Sequence, residues 1–179
     1  MRTTTLAAAG LRTGIATLNR MGSGLAACGI HTPSLDGAAL RRVAMRRAGL
    51  SDFGQWPIDD PFERLVRSYH DDAGLTTLGR ITVRELLVSL LENLLYLEED
   101  RRGHPALENE RIAAPVFITG LPRTGTTLLH GLLTEDPDNR VPLTWEVMYP
   151  ARHTAAELAA VRRRTDARLE WANRLAPAF

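Results

Sequence analysis

Hydrophobic residues recur at helical spacing through most of the first 110 positions. Apolar residues three or four positions apart, typical of one face of an α-helix, run through 3–28 and 60–73. A helix is also predicted after Pro33-Ser34, with Ser34 or Asp36 as its cap and Gly49 as its end. The strongest pattern lies in 82–99, where the leucines form a wide apolar stripe. The pattern predicts a helical N-terminal extension over residues 1–110.

A different pattern begins at Pro115. The apolar run 115–119 predicts a buried strand that ends at Gly120, and Gly125 then opens a helix whose leucines are expected to point inward. Strand, glycine-containing loop and helix in this order form a unit in which a helix N-terminus binds an anion. A second short strand is predicted at 140–143. The last helix is predicted to start at a capping box, Thr154-x-x-Glu157.

These elements predict an α/β fold. Residues 111–179 would form the strand–loop–helix start of a parallel sheet, preceded by the helical extension. A stable sheet generally has three or more strands, and a parallel sheet is covered by helices on both faces. Because only two strands are predicted, we expect the sheet to be incomplete and the chain to be the N-terminal part of a larger α/β domain.

Composition narrows the function classes. The chain has 179 residues, is 44% hydrophobic and carries a net charge of +1, which fits a globular protein. All 22 basic residues are arginine, so an anion site must use arginine, backbone N–H groups or hydroxyls. No run of five like charges occurs, so no nucleic-acid partner is predicted. No apolar run approaches the roughly 20 residues of a membrane span or forms a signal-peptide core, so we predict a cytoplasmic location.

The loop 120–127 is the candidate anion site. Gly120 and Gly125 allow backbone geometry that a side chain would obstruct, and Arg123 adds a permanent positive charge. Three hydroxyls add donors: Thr124, Thr126 and Thr127. The loop nearly matches G-x4-G-K-[ST] of nucleoside triphosphatases, but Thr126 stands where that motif has lysine. Since threonine cannot supply the lysine's charge, and no clear strand ending in aspartate follows to hold Mg²⁺, we predict metal-independent group transfer.

The segment Gly120-Leu121-Pro122-Arg123-Thr124-Gly125-Thr126-Thr127-Leu128 resembles the 5′-phosphosulfate-binding loop of the sulfotransferases. These enzymes take the sulfuryl group from 3′-phosphoadenosine 5′-phosphosulfate (PAPS). The resemblance covers most of residues 30–150 and is closest to bacterial members with a helical N-terminal extension. It implies sulfuryl transfer to a hydroxyl acceptor, which is a small molecule, a lipid or a glycan. The residues implied to hold PAPS are Gly120, Pro122, Arg123, Thr124, Gly125, Thr126 and Thr127.

The resemblance also implies two catalytic residues. Arg123, where many members carry lysine, would stabilise charge on the bridging oxygen as the sulfuryl group leaves. Glu146 lies 23 residues further on, where some branches place the general base. An ordinary surface carboxylate is the alternative for Glu146. The family's 3′-phosphate site uses an arginine and a serine from a later strand and helix, and nothing convincing follows Glu146 to match it.

Three functions stay open on the sequence alone. The first is a PAPS-dependent sulfotransferase, in an active form or a truncated, inactive one. The second is a P-loop phosphotransferase that binds a nucleotide, which the missing lysine disfavours. The third is a non-enzymatic helical interaction module or remnant, which the low strand count favours. The sequence does not identify the acceptor, and homo-oligomerisation stays open.

Overall fold

The computed structural model describes residues 2–121, 124–151 and 153–175. Within these residues the regular structure is helical throughout. The chain forms two compact units, Met1–Glu98 and Glu99–Phe179, while the predicted domain boundary at 110 stays a prediction. The helices in chain order are α1 (Arg2–Ala27), α2 (Gly37–Ala48), α3 (Asp59–Asp71), α4 (Thr77–Gly103), a 3₁₀ helix (Pro105–Asn109), α5 (Thr126–Thr134), α6 (Thr144–Met148) and α7 (Ala155–Leu175).

The predicted α/β fold with a parallel sheet is wrong for the described residues, because none of them lies in a strand. Residues 115–119 form no regular structure, and Val116 and Phe117 are exposed. A strand exists only through hydrogen bonds to a neighbouring strand, and no described segment provides that neighbour. The predicted strand at 140–143 is also wrong. Its last residue, Leu143, directs its N–H into the start of α6 by donating to Glu146 Oε2 at 2.7 Å.

The core of the first unit lies where α2, α3 and α4 meet. Its buried residues are Leu40, Ala44, Val66, Leu87, Val88, Leu91 and Leu95. The leucine stripe of α4 is only partly buried, since Leu87 and Leu91 are 2% exposed while their neighbours Leu86 and Leu90 are exposed by almost half. One face of α4 therefore supplies the core and the adjacent face remains at the surface.

Local signals fix both ends of α2. Asp36 accepts a hydrogen bond from the N–H of Ala39 at 2.7 Å, so the predicted cap of α2 at Asp36 is confirmed. Gly49 ends α2 in the left-handed conformation at φ 70°, as predicted. The helix predicted over 82–99 is longer than expected, because α4 begins at Thr77.

Arginines of α2 connect it to its neighbours. Arg41 Nη2 lies 2.6 Å from Asp59 Oδ1, and its guanidinium lies over the ring of Phe62 at 4.9 Å from the centroid. Arg47 Nη1 lies 2.8 Å from Glu85 Oε2 of α4, and this hydrogen bond raises the pKa of Arg47. These polar contacts fix the orientation of α2 against its neighbours, in addition to the apolar contacts of the core.

The second unit packs α6 against α7. Tyr149 and Thr165 are its buried residues among those described. The predicted capping box is confirmed, since the N–H of Thr154 donates to Glu157 Oε2 at 2.8 Å and the N–H of Glu157 donates to Thr154 Oγ1 at 3.4 Å. The expectation that the leucines of α5 point inward is wrong for three of the four, since only Leu133 is half-buried. Leu128, Leu129 and Leu132 are exposed because no sheet among the described residues covers them.

Candidate functional site

Thr124 and Thr126 lie against Gly120. A Cβ added to Gly120 would lie 2.7 Å from Thr124 Oγ1 and 3.0 Å from Thr126 Cγ2, so a larger residue forces these threonines to move. Thr124 Oγ1 donates to the carbonyl of Leu121 at 2.7 Å and closes the turn. The structure thus brings three predicted site residues, Gly120, Thr124 and Thr126, into one small loop.

Gly125 connects this loop to α5. It has φ 87° and ψ 11°, a left-handed conformation that favours glycine, and its carbonyl accepts from the N–H of Leu129 at 3.0 Å. Gly125 has no side chain, and no side chain of the described residues caps α5 in its place. Among these residues the N–H groups of the first turn of α5, beginning with Thr126 and Thr127, therefore have no acceptor and are available to a ligand. A helix N-terminus with free N–H groups and about half a positive charge attracts anions.

Four other residues of the predicted site are Thr126, Thr127, Pro122 and Arg123. Thr126 is half-buried and Thr127 is exposed. Within the described part of the chain, neither hydroxyl has a hydrogen-bond partner, so both can donate to a ligand. Pro122 and Arg123 lie outside the described residues, and their predicted roles stay predictions.

Glu146 sits in the first turn of α6 with both carboxylate oxygens engaged. Arg140 Nη2 donates to Oε1 at 2.8 Å, and the N–H of Leu143 donates to Oε2 at 2.7 Å. The second bond is the glutamate half of a capping box, since Leu143 has no acceptor to return it. The side chain is 24% exposed. Among the described residues Glu146 makes no hydrogen bond to the loop 120–127, so its predicted catalytic role stays untested.

The sequence patterns did not identify the layer of arginine and aromatic side chains between α6 and α7. The guanidinium of Arg162 lies 5.5 Å from the ring centroid of Trp145, and that of Arg164 lies 5.1 Å from the centroid of Tyr149. Arg168 Nη1 donates to the Tyr149 hydroxyl at 3.2 Å. Two aromatic residues four apart, one in α6 and one directly after it, followed by arginines in the next helix, are a signal that could have found it. The layer makes these arginines part of the packing of the second unit.

Two further findings concern the described residues only. No group of three or more histidine, cysteine, aspartate or glutamate side chains among them could hold a metal ion. No helix in the part of the chain that the structure describes is long and apolar enough to cross a membrane. The candidate binding site is therefore the glycine-containing loop with the uncapped start of α5. This arrangement belongs to the class that binds oxyanions.

Comparisons with known proteins assign a family to this arrangement. The model of the sulfotransferase family matches residues 115–177, which include the loop and all of α5 and α6. The chain is also similar to the crystal structure of sulfotransferase STF1 from Mycobacterium tuberculosis H37Rv, with 32% sequence identity and a TM-score of 0.63. No curated protein matches the chain.

The family match over residues 115–177 and the structural similarity support the assignment of the chain to the bacterial sulfotransferase family. The similarity to the mycobacterial structure covers 79% of this chain and 40% of the other, so the chain spans less than half of that relative. The family assignment confirms the resemblance found in the sequence.

Proposed function

We propose that the loop 120–127 and the N-terminus of α5 bind the 5′-phosphosulfate of PAPS, and that the protein transfers the sulfuryl group to a hydroxyl acceptor. The observation that carries the proposal is the uncapped start of α5 behind Gly125. A phosphosulfate carries the negative charge and acceptor oxygens that such a helix end attracts. The family match over residues 115–177 supports a sulfuryl group as the transferred group.

The loop residues fit a compact oxyanion. Gly120 leaves no Cβ in the turn, and the hydroxyls of Thr126 and Thr127 stand at the start of α5 beside its N–H groups. Backbone N–H groups held by a helix bind an oxyanion without reorganising, which is the property that stabilises charge in a transition state. Arg123, predicted to lie within the same loop, would add the positive charge that its neighbours lack.

Sulfuryl transfer requires one bond to form and one to break. The acceptor oxygen forms a bond to sulfur while the bond from sulfur to the bridging oxygen breaks, and 3′-phosphoadenosine 5′-phosphate (PAP) leaves with the electron pair. Arg123 and the N–H groups of α5 would stabilise the charge that develops on the bridging oxygen. The acceptor hydroxyl's proton goes to a general base, for which we propose Glu146.

Glu146 has acceptor capacity left for this role. An ionised carboxylate has about four lone-pair sites, and the hydrogen bonds from Arg140 and Leu143 use two of them. The two bonds hold the carboxylate in one orientation, and a general base has to be positioned within hydrogen-bond distance of its proton. The same two bonds also cap α6, so a test must separate stability from activity.

Binding of PAPS and of PAP, measured by isothermal titration calorimetry, tests the proposal. We expect both to bind without added Mg²⁺, and Arg123→Gln and Thr127→Val to weaken binding by about 10-fold or more each, the range for a lost hydrogen bond to a charged group. Thr134→Val, at the other end of α5, is the matched control and should leave affinity unchanged. Failure of PAPS and PAP to bind contradicts the proposal, and Mg²⁺-dependent ATP binding instead would favour a phosphotransferase.

The remaining functional expectations stay proposals. The acceptor is proposed to be a small molecule, a lipid or a glycan with a free hydroxyl, with no metal taking part. The cytoplasmic location and the absence of a nucleic-acid partner also stay predictions. The state of association is best measured directly, because the exposed leucines of α5 present an apolar surface that a second copy could cover.

A further inference from the structure

A buried arginine in the first unit has no counter-charge among the described residues. Arg80, the fourth residue of α4, is 5% exposed. Its Nε donates to the backbone carbonyl of Pro33 at 3.1 Å, but its buried Nη2 has no hydrogen-bond partner in the described part of the chain. Desolvation lowers the pKa of Arg80 from its ordinary value, but a guanidinium stays charged in proteins. A buried charge with an unsatisfied donor is costly, so the site favours a negatively charged ligand.

Arg80 lines a cavity of about 60 Å³ within this unit. A single water needs only about 10–15 Å³, so the cavity has room for a small anion. The residues that line it with polar groups include Ser23, His31, Thr32, Thr76 and Thr77. None of the described lining residues is acidic. The Ser23 hydroxyl already donates to the carbonyl of Asn19, so the cavity combines the positive charge of Arg80 with the hydroxyls of Thr32, Thr76 and Thr77.

The start of α4 adds to this positive potential. Thr76 and Thr77 lie at the N-terminus of a 27-residue helix, where the helix dipole is positive. Asn19 Oδ1 of α1 accepts from the N–H of Leu78 at 3.1 Å, so α1 is held against this helix end. A Cβ added to Gly22 would clash with the hydroxyl of Thr77, which shows how closely α1 approaches. Helix α1 thus forms one wall of the cavity.

We propose that this cavity is a second anion site that binds a small tetrahedral oxyanion, inorganic sulfate or phosphate, with Arg80 as its charged ligand. The Arg80 guanidinium and the hydroxyls of Thr32, Thr76 and Thr77 come from α4, from the residue before it and from the segment before α2, so they can donate to different oxygens of one tetrahedral group. The proposed site uses no residue of the loop 120–127. The proposal of this second site is therefore independent of the proposed PAPS site.

A sulfate titration followed by amide NMR tests this site. Sodium sulfate replaces sodium chloride at constant ionic strength, and the amides of Ser23 and Thr77 are observed beside those of Thr126 and Thr127. We expect saturable shifts at Ser23 and Thr77, which Arg80→Gln weakens by about 10- to 100-fold. Arg84→Gln, one turn further along α4 with its guanidinium paired to Glu85, is the matched control and should leave the affinity unchanged.

The outcomes separate the two sites. Loss of the loop shifts in Arg123→Gln, with the Ser23 and Thr77 shifts kept, supports a second site; Arg80→Lys, which keeps the charge, should retain part of the affinity. If Arg80→Gln does not fold, the wild-type titration and Arg80→Lys decide. Absence of saturable shifts at Ser23 and Thr77 overturns the proposal, and so does an equal response to chloride, which would indicate a site without preference for oxyanions.

Discussion

Arg140 donates a hydrogen bond from Nη2 to Oε1 of Glu146 at 2.8 Å, while the other carboxylate oxygen accepts from the N–H of Leu143. The side chain of the proposed general base therefore also caps the start of α6. These two roles respond differently to substitution, because the cap needs an acceptor oxygen and the base needs an ionised carboxylate.

Glu146→Gln should separate them. The amide oxygen can still accept from Leu143, so hydrogen exchange in α6 should remain close to that of the wild type. Glu146→Ala removes the acceptor and should lower the local opening free energy of α6 by about 1 kcal/mol. Arg140→Gln should cost less than about 1 kcal/mol, because Arg140 is 77% exposed.

The catalytic half of this prediction needs an acceptor that the protein sulfates. With such an acceptor, Glu146→Gln should lower the rate of sulfuryl transfer by about 10²- to 10⁴-fold and leave the Kd for PAP unchanged. A full rate in Glu146→Gln would leave Glu146 as a helix cap only.

Replacing either of two glycines, one before α5 and one inside it, with alanine should change stability in opposite directions. Gly125 has φ 87°, so Gly125→Ala should cost about 1–2 kcal/mol of stability. Gly131 lies inside α5 with open space around the added Cβ, so Gly131→Ala should gain about 0.5–1 kcal/mol. Hydrogen exchange of the α5 amides measures both changes. Equal effects would show that the start of α5 does not depend on the left-handed conformation of Gly125.

Adjacent leucines of α4 should differ in their contribution to the first unit. Leu87 is 2% exposed in the core, so Leu87→Ala should cost about 2–5 kcal/mol. Leu86 is 47% exposed, and Leu86→Ala should change stability by less than about 0.5 kcal/mol. Urea unfolding followed by circular dichroism measures both. A larger loss from Leu86→Ala would mean that the other face of α4 is covered in solution.

The capping box of α7 should make that helix sensitive to acid. Hydrogen bonds from the backbone and side chain of Thr154 lower the pKa of Glu157 below its ordinary value of 4.5. Because the folded-state pKa is depressed, the stabilisation is fully present above pH 4.5 and is lost as the pH falls through the lowered value. NMR of the Glu157 carboxyl and exchange of the α7 amides measure the effect.

Two variants check the origin of this acid sensitivity. Glu157→Gln should remove the part of the pH dependence of α7 stability that comes from Glu157. Thr154→Val should raise the pKa of Glu157 toward 4.5, because it removes the hydroxyl donor. An unchanged pH profile in Glu157→Gln would show that another group controls the acid response of α7.

Local signals in the sequence predicted local structure well. Asp36, Gly49 and the pair Thr154 and Glu157 each act on backbone groups within four residues, so their roles follow from sequence order alone. The order of glycines and threonines in the loop likewise indicated the sulfotransferase family, whose model matches residues 115–177, while the oxyanion site stays a prediction.

Structure that depends on distant partners was not predictable in this way. The run 115–119 has strand composition but no neighbouring strand among the described residues, so the predicted sheet is wrong. The contact of Asn19 with Leu78 and the burial of Arg80 join segments about 50–60 residues apart, and no periodicity encodes such pairs. The candidate second anion site emerged only from the packed structure.

The central claim is that the free N–H groups at the start of α5 hold the phosphosulfate. Titration of the ¹⁵N-labelled chain with PAPS, with the amides of Gly125, Thr126, Thr127 and Leu128 observed, tests this claim most directly. We predict saturable shifts at these amides that Thr127→Val weakens and Thr134→Val does not. Saturating PAPS that leaves all four amides unmoved would contradict the account.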